Sequence, residues 1–430
     1  MNESRLNRHL RTYLLFLLAV IFVLNVMYTV RKPIWNPRNE LAHYDHIDRF
    51  SSGRVPRLND DISDYSYEVT LEHFSWNTPE GFDGSRASMG IEGKSYEAHQ
   101  PFLYYSLLAP PNALLKYLAV SPPTQITILR VIQLLFVQAG ILLLIPIFKE
   151  IHRIAGVKSI YGYLMALGMA FSNIGSYHSL GNDNLSLLIC NAAVYFCLVS
   201  WRRGAFAWRI LAGLTAGAAF LVKYTNGLIL IIHVILWALL FVGRKESRER
   251  RNILPFSLPF LMIAAYLLIN QLLYSDTLRT SVTESYFGSV MLPTPGVVRF
   301  LKGMIVNSFS LIHLGIITPG SVMWIVLFMV VLNTVVCGWR SFVGKGAYDL
   351  LVFVAGIMAC LVILSATLLN EFRPGVRWGA FRHYYGFQLF YLAAIFNVPV
   401  RMGRKVGAGL VVVLAGLFSV LAVRYGLQLM

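Results

Sequence analysis

The chain has 430 residues, of which 56% are hydrophobic and only 13% charged, with a mean hydropathy of +0.59. That balance excludes a soluble globular protein, whose surface needs about twice the charge. The formal net charge of +16 does not point to nucleic acid, because the basic residues are grouped between apolar runs.

Uncharged runs of about 18 residues or more can each cross roughly 30 Å of hydrocarbon as a helix. Basic clusters at 5–11, 149–158, 201–209, 243–251, 339–346 and 401–405 read as cytoplasmic, following the bias of Lys and Arg to that side. Placing all six inside predicts spans near 12–30, 124–148, 159–178, 184–200, 208–222, 225–242, 252–274, 321–338, 348–369, 381–398 and 406–424. The expected architecture is an all-α polytopic membrane protein of about 11 transmembrane helices, one membrane-embedded domain over residues 1–430. Two further apolar segments, 102–119 and 300–318, would break the charge parity as spans and are predicted to be interfacial or re-entrant helices at the outer face. The first run follows Arg5, Arg8 and Arg11 and ends without a small-x-small cleavage pattern, which predicts an uncleaved anchor. Cys190, Cys197, Cys337 and Cys360 lie inside apolar runs, as buried thiols do, with neither disulfide nor metal spacing.

Residues 31–100 hold 12 of the 21 acidic side chains and 8 of the 37 basic ones, which suits an outer loop. The loop opens on NPRNELAHYDHIDRF (36–50). At helical spacing Glu40, His43, Tyr44, Ile47 and Phe50 share one face, while Asp45, His46 and Arg49 point the other way. An amphipathic surface helix explains this pattern; so does a carboxylate and an imidazole aimed into the helical body. Glu-x-x-His can also offer two ligands to a divalent ion, which makes Glu40, His43 and His99 the candidate ligands. The loop closes on YEAHQPFLYYSLLAPP (96–111), where His99 and Gln100 precede Pro101 in a first helical turn. Tyr104 and Tyr105 suit a headgroup-level anchor.

Asp183, in GNDNLSLL, is placed as a helix N-cap or as a second carboxylate facing Glu40. Lys223, in FLVKYTNG, lies between two short apolar runs, where it either snorkels or meets a substrate. EFRPGVRWGAFRHYY (371–385) puts Arg373, Arg377, Arg382 and His383 on the predicted outer side, against the charge trend. Anionic headgroups would account for that cluster, as would a built phosphate site using paired guanidinium hydrogen bonds.

Taken together and in order, these motifs resemble the GT-C superfamily of membrane glycosyltransferases, the group of protein O-mannosyltransferases and lipid A aminoarabinose transferases. Asn39-Glu40 stands where the family has an acidic pair, so the first acid is missing here. His99-Gln100-Pro101 with FLYY, Asn182-Asp183 with LSLL, GLTAGAAFLVKYTNG (213–227) and Arg382-His383-Tyr384 match the other segments. The resemblance implies a sugar donor carried on polyprenyl phosphate, a lipid, glycan or protein acceptor, and an active site at the outer face of a bacterial cytoplasmic membrane. No DxD motif of nucleotide-sugar enzymes is present. On that reading Glu40 is the general base, with Asp183 sharing the role or orienting the acceptor. Arg373, Arg377 and Arg382 hold the departing phosphate, and His43, Tyr44, His99, Gln100, Lys223, His383 and Tyr384 line the site. A single displacement would invert the anomeric centre. No cofactor is required, although a divalent ion is compatible. A transporter or flippase of a lipid-linked sugar is the rival reading; such folds place ionisable groups near mid-membrane and show inverted repeats, neither of which is evident here.

Overall fold

The computed structural model describes residues 3–35, 39–57, 60–73, 85–86, 89, 93–95, 100–156, 160–172, 178–242, 253–274, 320–344 and 346–372. Within them the chain is helical, and the β-structure among the described residues is a single antiparallel bridge between Asp61 and Lys94. The helices are α1 Glu3–Arg31, α2 Asn39–Ser51, α3 Asp64–His73, α4 Leu103–Tyr117, α5 Pro122–Leu142, α6 Leu144–Ala155 and α7 Ile160–Ser172. They continue as α8 Asp183–Arg203, α9 Phe206–Val222, a 3-10 turn Tyr224–Leu228, α10 Ile229–Val242, α11 Leu254–Tyr274, α12 Gly320–Gly344 and α13 Ala347–Phe372.

Among the described residues five stretches are long and apolar enough to cross a membrane: Arg8–Arg31, Pro122–Ala155, Asp183–Arg203, Leu254–Leu273 and Ala347–Ser365. Shorter apolar helices cover Ile160–Ala170, Phe206–Val222 and Tyr224–Ile235. The all-α membrane architecture is thus present. The predicted spans 381–398 and 406–424 and the predicted interfacial helix 300–318 lie outside the described residues. The other expected interfacial segment forms α4, which packs on α2 and α5.

The predicted span 124–148 is two helices. Pro146 has no N–H to give the carbonyl of Leu142, and its ring crowds that group, so α5 ends there and α6 restarts at Leu144. Left-handed glycines close α6 and α8, at Gly156 (φ +72°) and Gly204 (φ +70°), where other residues would be strained.

Two apolar cores result. The larger joins α1 and α5 to α10 with α13, through residues such as Leu18, Leu164, Met165, Cys190, Ala216 and Met358. Helix contact in lipid relies on close backbone approach. A Cβ on Gly140 would lie 2.9 Å from the Leu188 nitrogen, so α5 and α8 touch there, and Asn191 Nδ2 donates to the Gly140 carbonyl at 2.9 Å. Gly213 and Gly217, spaced four apart on α9, do the same against α11: added Cβ atoms would meet the Pro255 carbonyl at 2.5 Å and Met262 Sδ at 2.7 Å. The smaller core caps one end of the bundle and includes Trp35, Leu41, Tyr44, Ile62, Tyr104, Tyr105, Leu129 and Leu180.

Gly217→Leu should drive α9 and α11 apart and cost about 1–3 kcal/mol of stability, read as a lowered thermal midpoint of the detergent-extracted protein. Leu214→Ala, on a partly exposed face of the same helix, should shift it far less.

Candidate active site

Helix α2 is not a surface helix with one wet edge. Glu40 through Asp48 are all buried, because both faces are covered. Segment 60–63 covers the face that the periodicity assigned to solvent: Ser63 N donates to Asp45 Oδ1 at 2.8 Å, and Arg49 links Asp45 (2.9 Å), Asp60 (3.0 Å) and the Asp61 carbonyl. On the α4 side Lys116 Nζ meets Asp48 Oδ1 at 2.6 Å and lies 3.9 Å from the centre of the Tyr65 ring. Burial pushes the Asp48 carboxyl up, against the opposing pull of Lys116.

Glu40 is fully enclosed and paired with Arg130 of α5, itself fully enclosed. Arg130 Nε donates to Glu40 Oε1 at 2.7 Å and Nη2 to Oε2 at 2.5 Å. The Leu180 N–H adds a third hydrogen bond to Oε1 at 2.9 Å. The guanidinium also donates to the carbonyls of Lys32 (2.8 Å) and Pro33 (2.9 Å). One ion pair therefore ties the exit of α1, the start of α2, the first half of α5 and the loop before α8. Just after the α1 exit Trp35 is wholly buried, with a φ of +60° that a non-glycine residue rarely adopts.

The residues just before Asp183 are pinned one after another. Gly181 N donates to the Tyr104 hydroxyl at 2.9 Å and to Gln133 Oε1 at 3.3 Å, and Tyr104 in turn donates to Gln133 at 2.8 Å. Asn182 Nδ2 donates to Gln100 Oε1 at 3.2 Å and to the Val222 carbonyl at 3.3 Å. Asp183 then meets Lys223, Nζ to Oδ1 at 2.5 Å; Lys223 is nearly enclosed, whereas Asp183 keeps 20% of its side chain exposed. Lys223 occupies the break between α9 and the 3-10 turn, in extended backbone (φ −161°, ψ 135°) that turns it toward α8.

His43 Nδ1 lies 2.9 Å from the Tyr105 hydroxyl, and its Nε2 faces the backbone of Gly181, 3.7 Å from where a Cβ would be. Tyr44 donates to Gln125 Oε1 at 3.1 Å, and its burial raises the phenol far above its ordinary range. The structure thus gathers Glu40, His43, Gln100, Asp183 and Lys223 around one loop, with Tyr44 a turn away in the cap core. His99, Arg373, Arg377, Arg382, His383 and Tyr384 lie outside the described residues. Among the described residues no group of three or more His, Cys, Asp or Glu side chains could hold a metal; Glu40 is bonded to Arg130 and His43 to Tyr105.

The sequence reading passed over Arg130. Its signal was available: a guanidinium six residues into an apolar run needs a buried partner. It also passed over an aromatic group beside Lys223, in which Tyr266 packs against Phe102 (5.7 Å between ring centres), Phe220 and Tyr224, with the two tyrosine hydroxyls 3.0 Å apart. His178 is a third omission. It is buried, with Nδ1 2.9 Å from Thr29 Oγ1, and burial with nearby Lys32 and Arg130 pushes its ring down to about 3.

Arg130→Met leaves a buried carboxylate uncompensated and should cost about 3–5 kcal/mol, whereas the double variant with Glu40→Gln should recover part of that loss in thermal unfolding. His178 gives a pH dependence of definite sign. The unfolded imidazole protonates near 6.5 and the folded one only near 3, so its contribution is complete above 6.5 and is lost as pH falls through that window. A plot of thermal midpoint against pH should be flatter between 6.5 and 4 in His178→Gln.

Residues 123–274 match the model of the dolichyl-phosphate-mannose-protein mannosyltransferase family. Neither the curated proteins nor the solved structures searched give a match. The matched stretch contains Arg130, Gln133, Asp183, Lys223 and Tyr266, so most of the pinned loop and its partners fall inside it. Over those residues the chain carries the sequence pattern of a glycosyltransferase family of the GT-C type, in keeping with the resemblance drawn from its motifs.

Proposed function

We propose that the protein transfers a sugar from a polyprenyl-phosphate carrier to an acceptor at the extracytoplasmic face of a bacterial cytoplasmic membrane, with inversion at the anomeric carbon. The acceptor is a lipid, a glycan or a protein. The observation that carries this reading is the Asp183–Lys223 pair: a partly exposed carboxylate and an enclosed ammonium at one helix end, inside the family match.

A general base must reach the acceptor hydroxyl with an accessible oxygen. Glu40 has no exposed surface and receives three hydrogen bonds, whereas Asp183 reaches the surface. Asp183 is therefore assigned as the base. Glu40 is reassigned from base to positioning residue, since it holds Leu180 N–H and thereby the loop that presents Asp183. His43 and Gln100 border that loop and orient the sugar or the acceptor. Lys223, with Arg373, Arg377 and Arg382, meets the phosphate, where fixed positive charge stabilises the departing anion. The aromatic group around Tyr266 offers the apolar surface that the isoprenoid end requires.

Asp183→Asn should lower transfer from a lipid-linked sugar by about 10²–10⁴-fold in a protein that still elutes as a folded species. Glu40→Gln should lower the thermal midpoint as well as the rate. Full transfer by Asp183→Asn would remove it from the base role. In vesicles holding the purified protein, a new glycosidic product identifies a transferase, and lipid-linked sugar moved to the other leaflet without product identifies a flippase.

A further inference from the structure

We propose that Lys223 is an exchangeable cation: it holds Asp183 in the resting enzyme and passes to the polyprenyl phosphate as the sugar is transferred. The inference rests on the transferase reading above and adds how the two charges of that site are coupled.

The geometry supplies the starting state. Lys223 Nζ is 2.5 Å from Asp183 Oδ1, and the lysine is nearly enclosed while the carboxylate is partly exposed. The lysine backbone is fixed on both sides of the helix break: its N–H donates to the Ala219 carbonyl at 3.2 Å, and its carbonyl accepts from Asn226 N at 3.0 Å. Asn226 is anchored further by Ser186 Oγ at 2.9 Å and the Ala219 carbonyl at 3.1 Å. The stem is thus planted while the ammonium, a point charge on four flexible methylenes, can move by a few ångströms. Asp183 is held from the other side, since the preceding Asn182 bonds to Gln100 and to the Val222 carbonyl.

The chemistry supplies the reason to exchange. The acceptor oxygen forms a bond to the anomeric carbon, and its proton goes to the Asp183 carboxylate. The bond from that carbon to the phosphate oxygen breaks, and its electron pair leaves on the phosphate. Asp183 goes from one negative charge to none, while the phosphodiester, with one charge, becomes a monoester carrying between one and two near neutrality. A single event removes the attraction on one side of Lys223 and strengthens it on the other. In an inverting displacement the base and the leaving oxygen stand on opposite faces of the anomeric carbon. One ammonium then has to leave the first to reach the second, which favours exchange over a static bridge. The interaction is stronger in the transition state than in the ground state, and such interactions accelerate the step.

The test is the affinity of the full chain, in lipid nanodiscs, for a polyprenyl monophosphate. If Asp183 competes for Lys223, Asp183→Asn should bind that lipid about tenfold more tightly and Lys223→Met about tenfold more weakly. In the Lys223→Met background, adding Asp183→Asn should change the affinity by less than about twofold. Lys223→Gln, which keeps a hydrogen bond to the carboxylate without the charge, replaces Lys223→Met if the latter does not fold. An unchanged affinity in Asp183→Asn overturns the exchange. Equal tightening with and without Lys223 overturns it too, because loss of a repulsive charge then suffices. Failure of the natural chain both to bind the lipid and to transfer sugar would instead overturn the transferase reading itself.

Discussion

A buried guanidinium–carboxylate pair organises this end of the molecule. Removing two charges from water is costly, and attraction inside a protein compensates only when the remaining hydrogen-bonding capacity is also used. Arg130 and Glu40 meet that condition with each other, two carbonyls of the α1 exit and the Leu180 N–H. Because each partner is needed to keep the other from standing alone, α1, α2, α5 and the loop before α8 are locked into one arrangement. Asp183 inherits its position from that lock, three residues beyond Leu180.

Much of the fold could be read before any coordinates. Apolar runs bounded by basic clusters placed α8, α9, α11 and α13 within a few residues, because hydropathy and helix ends share a physical cause in the bilayer. What could not be read was local backbone chemistry inside a run, such as the break that Pro146 imposes between α5 and α6. For the site, the sequence picked out Glu40, His43, Gln100, Asp183 and Lys223, and these do converge. It misjudged how α2 is covered, since nothing in its own periodicity announces that segment 60–63 will close over Asp45 and Arg49. It also treated Glu40 as available, because the partner that occupies it is 90 residues away along the chain. Pairing at that separation is a property of the packed helices, and no spacing rule records it.

The opposite end of the bundle uses the same physics for a different purpose. Glu150 of α6, almost enclosed, pairs with Arg202 at the end of α8 and with Arg153 one turn along its own helix. This clasp joins α6 to α8, whose ends are closed by the left-handed Gly156 and Gly204. Between the two polar ends the helices approach closely, as at Gly140 against Leu188. The bundle is thus clasped by ion pairs at both of these ends.

The early stop of α9 has a further consequence for depth. Its 17 residues rise about 25 Å, less than the roughly 30 Å of an average hydrocarbon layer. A helix shorter than the layer it crosses is matched by local thinning of the bilayer or by recession of its polar end. On the proposed reading, either adjustment brings the Lys223 end of α9 closer to the level at which the phosphate of a bilayer-held isoprenoid lies.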